Sequence, residues 1–246
     1  MLQAGMWGLL AGSALVIGAL VGYLAKVPTW MVAGVMAFGS GVLMSAVAFE
    51  LFAEAHEQGG LAATALGAAI GAAVYTGANA VLARRGAQHR KRSGGQQPSE
   101  QERSGSGGAI ALGALLDGVP ESIVIGVGLL GGGAVSTATV AAIFISNVPE
   151  GLSSASGMRR AGRSPAYVFG LWGGIAVVSA LAAMLGYGAL GDAPARAQAA
   201  ITALAGGAIL TMVADTMIPE AFENARLWTG LITVAGFLSA FALSMG

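Results

Sequence analysis

Residues 207–223 read GAILTMVADTMIPEAFE, and residues 41–57 read GVLMSAVAFELFAEAHE. Aligned without gaps, Glu54 meets Glu220, Ala55 meets Ala221 and Glu57 meets Glu223. Both stretches are too apolar for solvated loops, and both close on acids. The number of helices between them decides how they are related in space.

The chain around them has 246 residues, 55% of them hydrophobic and only 10% charged, and its mean hydropathy is +0.74. A soluble domain is about a quarter charged. So much apolar surface calls for lipid rather than one aqueous core. Apolar segments of about twenty residues recur along the whole chain. They lie at 5–25, 30–55, 61–83, 109–130, 135–158, 166–190, 198–222 and 227–245. The predicted fold is an all-α integral membrane protein with eight spans. The first span has no A-x-A-like cleavage signal and no basic start, and reads as a retained helix. Pairs such as Gly18/Gly22 and Gly67/Gly71 have the small-xxx-small spacing that lets helices approach closely in lipid. The chain has no cysteine, which excludes a disulfide framework, a thiolate metal site and thiol catalysis.

With eight spans, residues 41–57 fall in the second and 207–223 in the seventh. The two are five helices apart and cross the membrane in opposite directions. This is the trace of an inverted repeat of spans 1–3 and 6–8 around a central pair, spans 4 and 5. The chain then divides into 1–83 (spans 1–3), a basic linker at 84–108, the central pair at 109–158, and 159–246 (spans 6–8). The linker's Gly, Ser, Gln and charge content predicts disorder. Lys26, the linker bases Arg84, Arg85, Arg90, Lys91, Arg92 and Arg103, then Arg159, Arg160, Arg163 and Arg226 all fall on one side, and Arg196 on the other. The positive-inside rule makes the rich side cytoplasmic and puts both termini outside. The expected location is a plasma (inner) membrane.

The central pair carries Val-Pro-Glu twice, at Val119-Pro120-Glu121 and Val148-Pro149-Glu150. Asp117 and Glu121 are four residues apart and share a helix face, as do Ser146 and Glu150, with Asn147 adjacent. A proline inside a helix cannot donate to the carbonyl four residues back, so Pro120 and Pro149 read as helix breakers that free the oxygens of Leu116 and Ile145. Residues 109–158 contain three acids and no Lys, Arg or His. A charge at mid-bilayer costs roughly 2.5–3.5 kcal/mol on insertion scales. With no base inside the pair, either some acids hold protons or a visiting cation neutralises them. A divalent ion with oxygen ligands does this well. The candidate metal ligands are Asp117, Glu121, Ser146, Asn147 and Glu150. Glu50, Glu54, His56, Glu57, Asp215, Glu220 and Glu223 are candidates for an entrance or exit path.

These residues resemble a known family. LLDGVPESIVIGV (115–127) is similar to the fourth helix of ZIP-type metal transporters (zinc/iron-regulated transporter-like proteins), which typically reads His-Asn-x-Pro-Glu-Gly. ISNVPEGLSSA (145–155) resembles the fifth, typically His-Glu-x-Pro-x-Glu. AFELFAEA (48–55) and ADTMIPEA (214–221) resemble the Pro-Glu-Ala endings of the second and seventh. The resemblance implies a 3+2+3 helical fold, a homodimer, and uptake of divalent metals toward the cytoplasm through a site between the fourth and fifth helices. By position, Asp117 stands where the family has a histidine, Gly118 at its Asn and Glu121 at its Glu. Ser146 and Asn147 stand at the His-Glu pair, and Glu150 at the later Glu. Only the two glutamates match.

Without imidazole the ligand set is harder, which shifts preference from zinc toward manganese or iron(II), although zinc also binds carboxylates. The expected substrate is Zn, Mn or Fe(II). No enzymatic activity, organic cofactor or nucleic-acid partner is expected; the partners are the bilayer and the ions. A calcium-type or proton-coupled cation antiporter also carries paired Pro-Glu motifs, but in distant halves rather than adjacent helices. An intramembrane hydrolase needs a base that the central spans lack. A metal-binding membrane protein that does not transport would keep the same site without flux.

Overall fold

The structure is a computed structural model that describes residues 1–130 and 137–245. Residues 135 and 136, the start of the fifth expected span, lie outside it, as does Gly246 at the end of the last segment. Among the described residues every regular element is helical: α1 (Leu2–Leu24), α2 (Thr29–Ala46), α3 (Ala53–Leu82), α4 (Ser106–Val127), α5 (Thr137–Arg160), α6 (Pro165–Leu190), α7 (Ala195–Met212), α8 (Ile218–Ala225) and α9 (Thr229–Met245). The π-helical turns Val47–Phe52 and Val213–Met217 join α2 to α3 and α7 to α8. Helices are what apolar sequence forms in lipid, where every backbone polar group must find its partner inside the segment.

Among the described residues five helical stretches are long and apolar enough to cross a membrane: Leu2–Leu24, Thr29–Ala87, Ser106–Val127, Pro165–Leu190 and Ala195–Ser244. A straight helix of 59 residues, the length of the second, would run roughly 90 Å, about three times a bilayer's hydrocarbon core. It does not run straight. Gly60 takes φ +74° and ψ 172°, a conformation open to glycine and costly for other residues. The fifth stretch is interrupted likewise at Arg226, with φ +44° and ψ −115°.

The repeat read in the sequence returns as matched boundaries. Pro28 precedes α2 and Pro194 precedes α7; both helices have 18 residues. The π turns start at Val47 and Val213, and the breaks fall at Gly60 and Arg226. Each pair is separated by 166 residues. Packing follows the same exchange: α2 lies against α9 and α3 against α7, while α1 packs on α5 and α6, and α4 on α6.

Small residues set these approaches. A side chain at Gly18 or Gly22 would strike the backbone of Val148 or Leu152 in α5, and one at Gly67 or Gly71 the backbone of Ala200 or Leu204 in α7. One buried apolar cluster includes Met36, Leu43, Tyr75, Ile209, Met212 and Met217, joining α2, α3 and α7. Another includes Leu15, Ile110, Met158, Trp172 and Ile175, joining α1, α4, α5 and α6.

Pro120 and Pro149, expected to break the central helices, lie inside α4 and α5, which run on through both. A proline removes one backbone donor, a loss that neighbouring helices and local adjustment absorb in a packed bundle.

Candidate cation site

Asp117 and Glu121 point inward from α4, and Glu150 from α5; they are 1%, 2% and 4% exposed. Glu121 feels the charges of Glu150 and Asp117, and Glu150 that of Asp117, so the three share one electrostatic cluster. The expectations drawn from spacing placed Asp117 and Glu121 on one helix face. They also held that nothing cationic reaches these acids, and here the structure differs. Arg90 and Lys91, from the linker expected to be solvated and disordered, are 2% and 3% exposed at the centre of the cluster.

Arg90 grips Asp117 with two prongs, Nε to Oδ2 at 2.9 Å and Nη2 to Oδ1 at 2.8 Å. Its Nη2 also donates to the Tyr75 hydroxyl at 2.9 Å, and that hydroxyl donates to Asp117 Oδ1 at 2.6 Å. Its Nη1 donates to Asn79 Oδ1 at 2.8 Å and to the Ala87 carbonyl at 3.4 Å. Every guanidinium N–H is used, which is the condition under which a buried ion pair is tolerated. Asp117 is therefore occupied by protein donors.

Lys91 is held differently. Its Nζ lies 2.9 Å from Glu150 Oε2 and 3.4 Å from Asp117 Oδ2, one ammonium between two carboxylates. It acts as a point charge among carboxylates. Glu121 Oε1 is buried with no hydrogen-bond partner among the described residues.

The row of acids continues outward. Glu220 of α8 is fully buried and accepts from the Ser93 amide at 2.9 Å, the Ser93 hydroxyl at 2.8 Å and the Ser153 hydroxyl at 3.1 Å. Arg92 Nε is 3.6 Å from its Oε2, and Arg92 also pairs with the more exposed Glu223. Residues 90–93 thus run beside the acids from the buried cluster to the surface. Gln97 pins this strand, its Nε2 lying 2.9 Å from the Arg90 carbonyl, 3.1 Å from that of Arg92 and 3.0 Å from that of Ser154. A side chain at Gly157 of α5 would collide with Arg92 and Gln97, so the bare backbone there admits the strand.

The far end of the linker is anchored as well. Glu100 accepts from Arg163 at 2.6 Å and from the Gly105 and Gly107 amides at 2.5 and 3.1 Å. These donors, Arg163 foremost, hold its carboxyl at about 2, well below the usual range.

The remaining expected residues divide. Ser146 is buried but donates to the Ile143 carbonyl of its own helix at 2.9 Å, and Asn147 donates to the Ala11 carbonyl of α1 at 3.0 Å. Each thus spends one donor on structure, while the Ser146 hydroxyl oxygen and Asn147 Oδ1 keep their lone pairs. Glu54, His56, Glu57 and Asp215 are exposed, and Glu50, half-buried, lies 3.5 Å from Thr139. The four exposed residues lie outside the buried cluster. Among the described residues no three His, Cys, Asp or Glu side chains stand ready as a metal cage. The acids that could form one are interleaved with Arg90 and Lys91.

Sequence reasoning missed Tyr75, Asn79, Ser93, Gln97 and Ser153. Tyr75 and Asn79 had a readable signal: polar groups one turn apart on an apolar helix. The triplet Arg90-Lys91-Arg92 was visible too, but only as a charge bias.

Fold and site together define an all-helical chain, with helices compatible with a membrane, enclosing a buried cluster of carboxylates and linker cations. No protein-family model matches the chain, and no curated protein matches its sequence.

Proposed function

We propose that this chain is a transporter of divalent metal cations with the ZIP-like architecture that its motifs resemble. The observation that carries the reading is the row of five acids, Asp117, Glu121, Glu150, Glu220 and Glu223, faced by three bases, Arg90, Lys91 and Arg92. The acids outnumber the bases by two, so the row keeps a net negative charge. Buried charge without a counter-charge is too costly to keep for packing alone.

The breaks at Gly60 and Arg226, together with α5, support a reading of eight spans. The matched boundaries of α2 and α7 support an inverted repeat around α4 and α5. With the linker side cytoplasmic, the row of acids leads from mid-membrane to the cytoplasm, past Glu220 and Glu223. Glu121 and Glu150 are the exchangeable ligands, because Asp117 is committed to Arg90 and Tyr75. Carboxylate ligands suit Mn or Fe(II) at least as well as Zn. The plasma membrane and a homodimeric state follow from the same resemblance.

Purified protein in sealed vesicles should take up Mn²⁺ or Zn²⁺ down an imposed gradient. Glu121→Gln and Glu150→Gln should each nearly abolish that flux. Flux at wild-type level in both variants would overturn the assignment. Binding without flux in wild type would mark a metal-binding protein that does not transport.

A further inference from the structure

We propose that Lys91 is a tethered cation that occupies the metal position, and that residues 91–93 must leave the row of acids before a divalent ion can bind. The proposal rests on the transport reading above and names how that site is controlled. Two neighbouring cations of the same linker are held in opposite ways. Arg90 uses every donor it has on Asp117, Tyr75, Asn79 and Ala87, contributed by α4, α3 and the turn after α3. It is an anchor. Lys91 reaches the same cluster with its ammonium alone, 2.9 Å from Glu150 and 3.4 Å from Asp117. Its ammonium has one close contact where the Arg90 guanidinium has five hydrogen bonds, so another cation can take its place.

The backbone beside it fits that role. Ser93 satisfies Glu220 with both its amide and its hydroxyl, and Arg92 covers Glu220 and Glu223. Residues 91–93 therefore cover the buried carboxylates and those nearer the surface at once. An ion bound by Glu121 and Glu150 would lie beside a buried ammonium at close range, where like charges repel strongly. Occupancy by Lys91 and occupancy by a metal exclude each other. The linker is in this sense a ligand of the site, competing with the substrate. Apparent metal affinity falls by the fraction of molecules in which the strand is withdrawn.

The chain has no cysteine, so a single Ser93→Cys change creates a unique reporter thiol in the full-length protein. Ser93 is 1% exposed, and a thiol there should react slowly with a maleimide in metal-free detergent solution. Saturating Mn²⁺ should speed that labelling by about tenfold or more. In a second measurement, Lys91→Gln should bind Mn²⁺ about tenfold more tightly than wild type, because the competitor is gone. Glu121→Gln should lose binding in either background. If wild type binds Mn²⁺ in a Glu121-dependent way while labelling stays slow and Lys91→Gln binds no more tightly, the tethered-cation proposal fails and the transport site stands. If neither wild type nor Lys91→Gln binds Mn²⁺, both readings fail together.

Discussion

Lys91 Nζ lies 2.9 Å from Glu150 Oε2, with both side chains buried. The lysine belongs to a segment of ordinary loop composition, and the glutamate to a central apolar helix. Their contact turns a charge problem inside one pair of helices into a matter of how the linker folds.

The first consequence separates two acids one helical turn apart. Asp117→Asn removes the carboxylate that takes two of Arg90's five hydrogen bonds, and loss of one member of a buried pair costs about 3–5 kcal/mol. Glu121→Gln removes a carboxylate whose Oε1 has no partner and which is repelled by Glu150 and Asp117. Asp117→Asn should melt well below wild type in metal-free detergent, and Glu121→Gln at or above it. Followed by tryptophan fluorescence, equal losses in the two variants would contradict this division of roles.

Tyr75 tests the anchor from the α3 side. Its hydroxyl accepts from Arg90 and donates to Asp117, so Tyr75→Phe strands one buried donor and one acceptor site. Leaving such groups unsatisfied costs about 1–3 kcal/mol. Combined with Asp117→Asn, the loss should be less than the sum of the two, because the residues act on one guanidinium. Additive losses in a double-mutant cycle would disprove the shared network.

Two glycines of α3 should respond with opposite signs. A Cβ at Gly71 meets the Leu204 backbone of α7, whereas one at Gly77 meets nothing within 4 Å. Gly71→Ala should destabilise by about 1–3 kcal/mol through overpacking. Gly77→Ala should stabilise by roughly 0.5–1 kcal/mol, the usual gain over glycine inside a helix. Denaturant or thermal unfolding of the two variants checks the pair, and a stable Gly71→Ala would refute the close α3 to α7 approach.

Glu100 makes the linker's end sensitive to acid. Its carboxyl is lowered from an ordinary 4.5 to about 2, first by Arg163 and then by the Gly105 and Gly107 amides. A depressed carboxyl stabilises the folded form fully above its ordinary value and loses that contribution as pH falls through 4.5 toward about 2. Exchange protection of the Gly105 and Gly107 amides, corrected for intrinsic rates, should therefore fall over that interval. In Glu100→Gln it should be lower at neutral pH and nearly flat. Glu100 is largely exposed, so high salt should weaken the effect.

Much of this protein was legible residue by residue. Apolar runs of bilayer length and acids spaced by four on α4 are local, and helical periodicity converts them directly into geometry. That Asp117 and Glu121 share one helix face followed from that alone. The prolines misled because removing a donor does not by itself break a helix that its neighbours support.

The placing of Arg90 and Lys91 belonged to tertiary structure. Composition reports that residues 84–108 are polar and basic, and such segments usually stay in water. It does not report that buried carboxylates, waiting on other helices, give those bases somewhere to go. The amino-acid order determined where negative charge is stored in the bundle; only the packed chain decided which positive charge meets it, because that pairing depends on distances between segments far apart in the sequence.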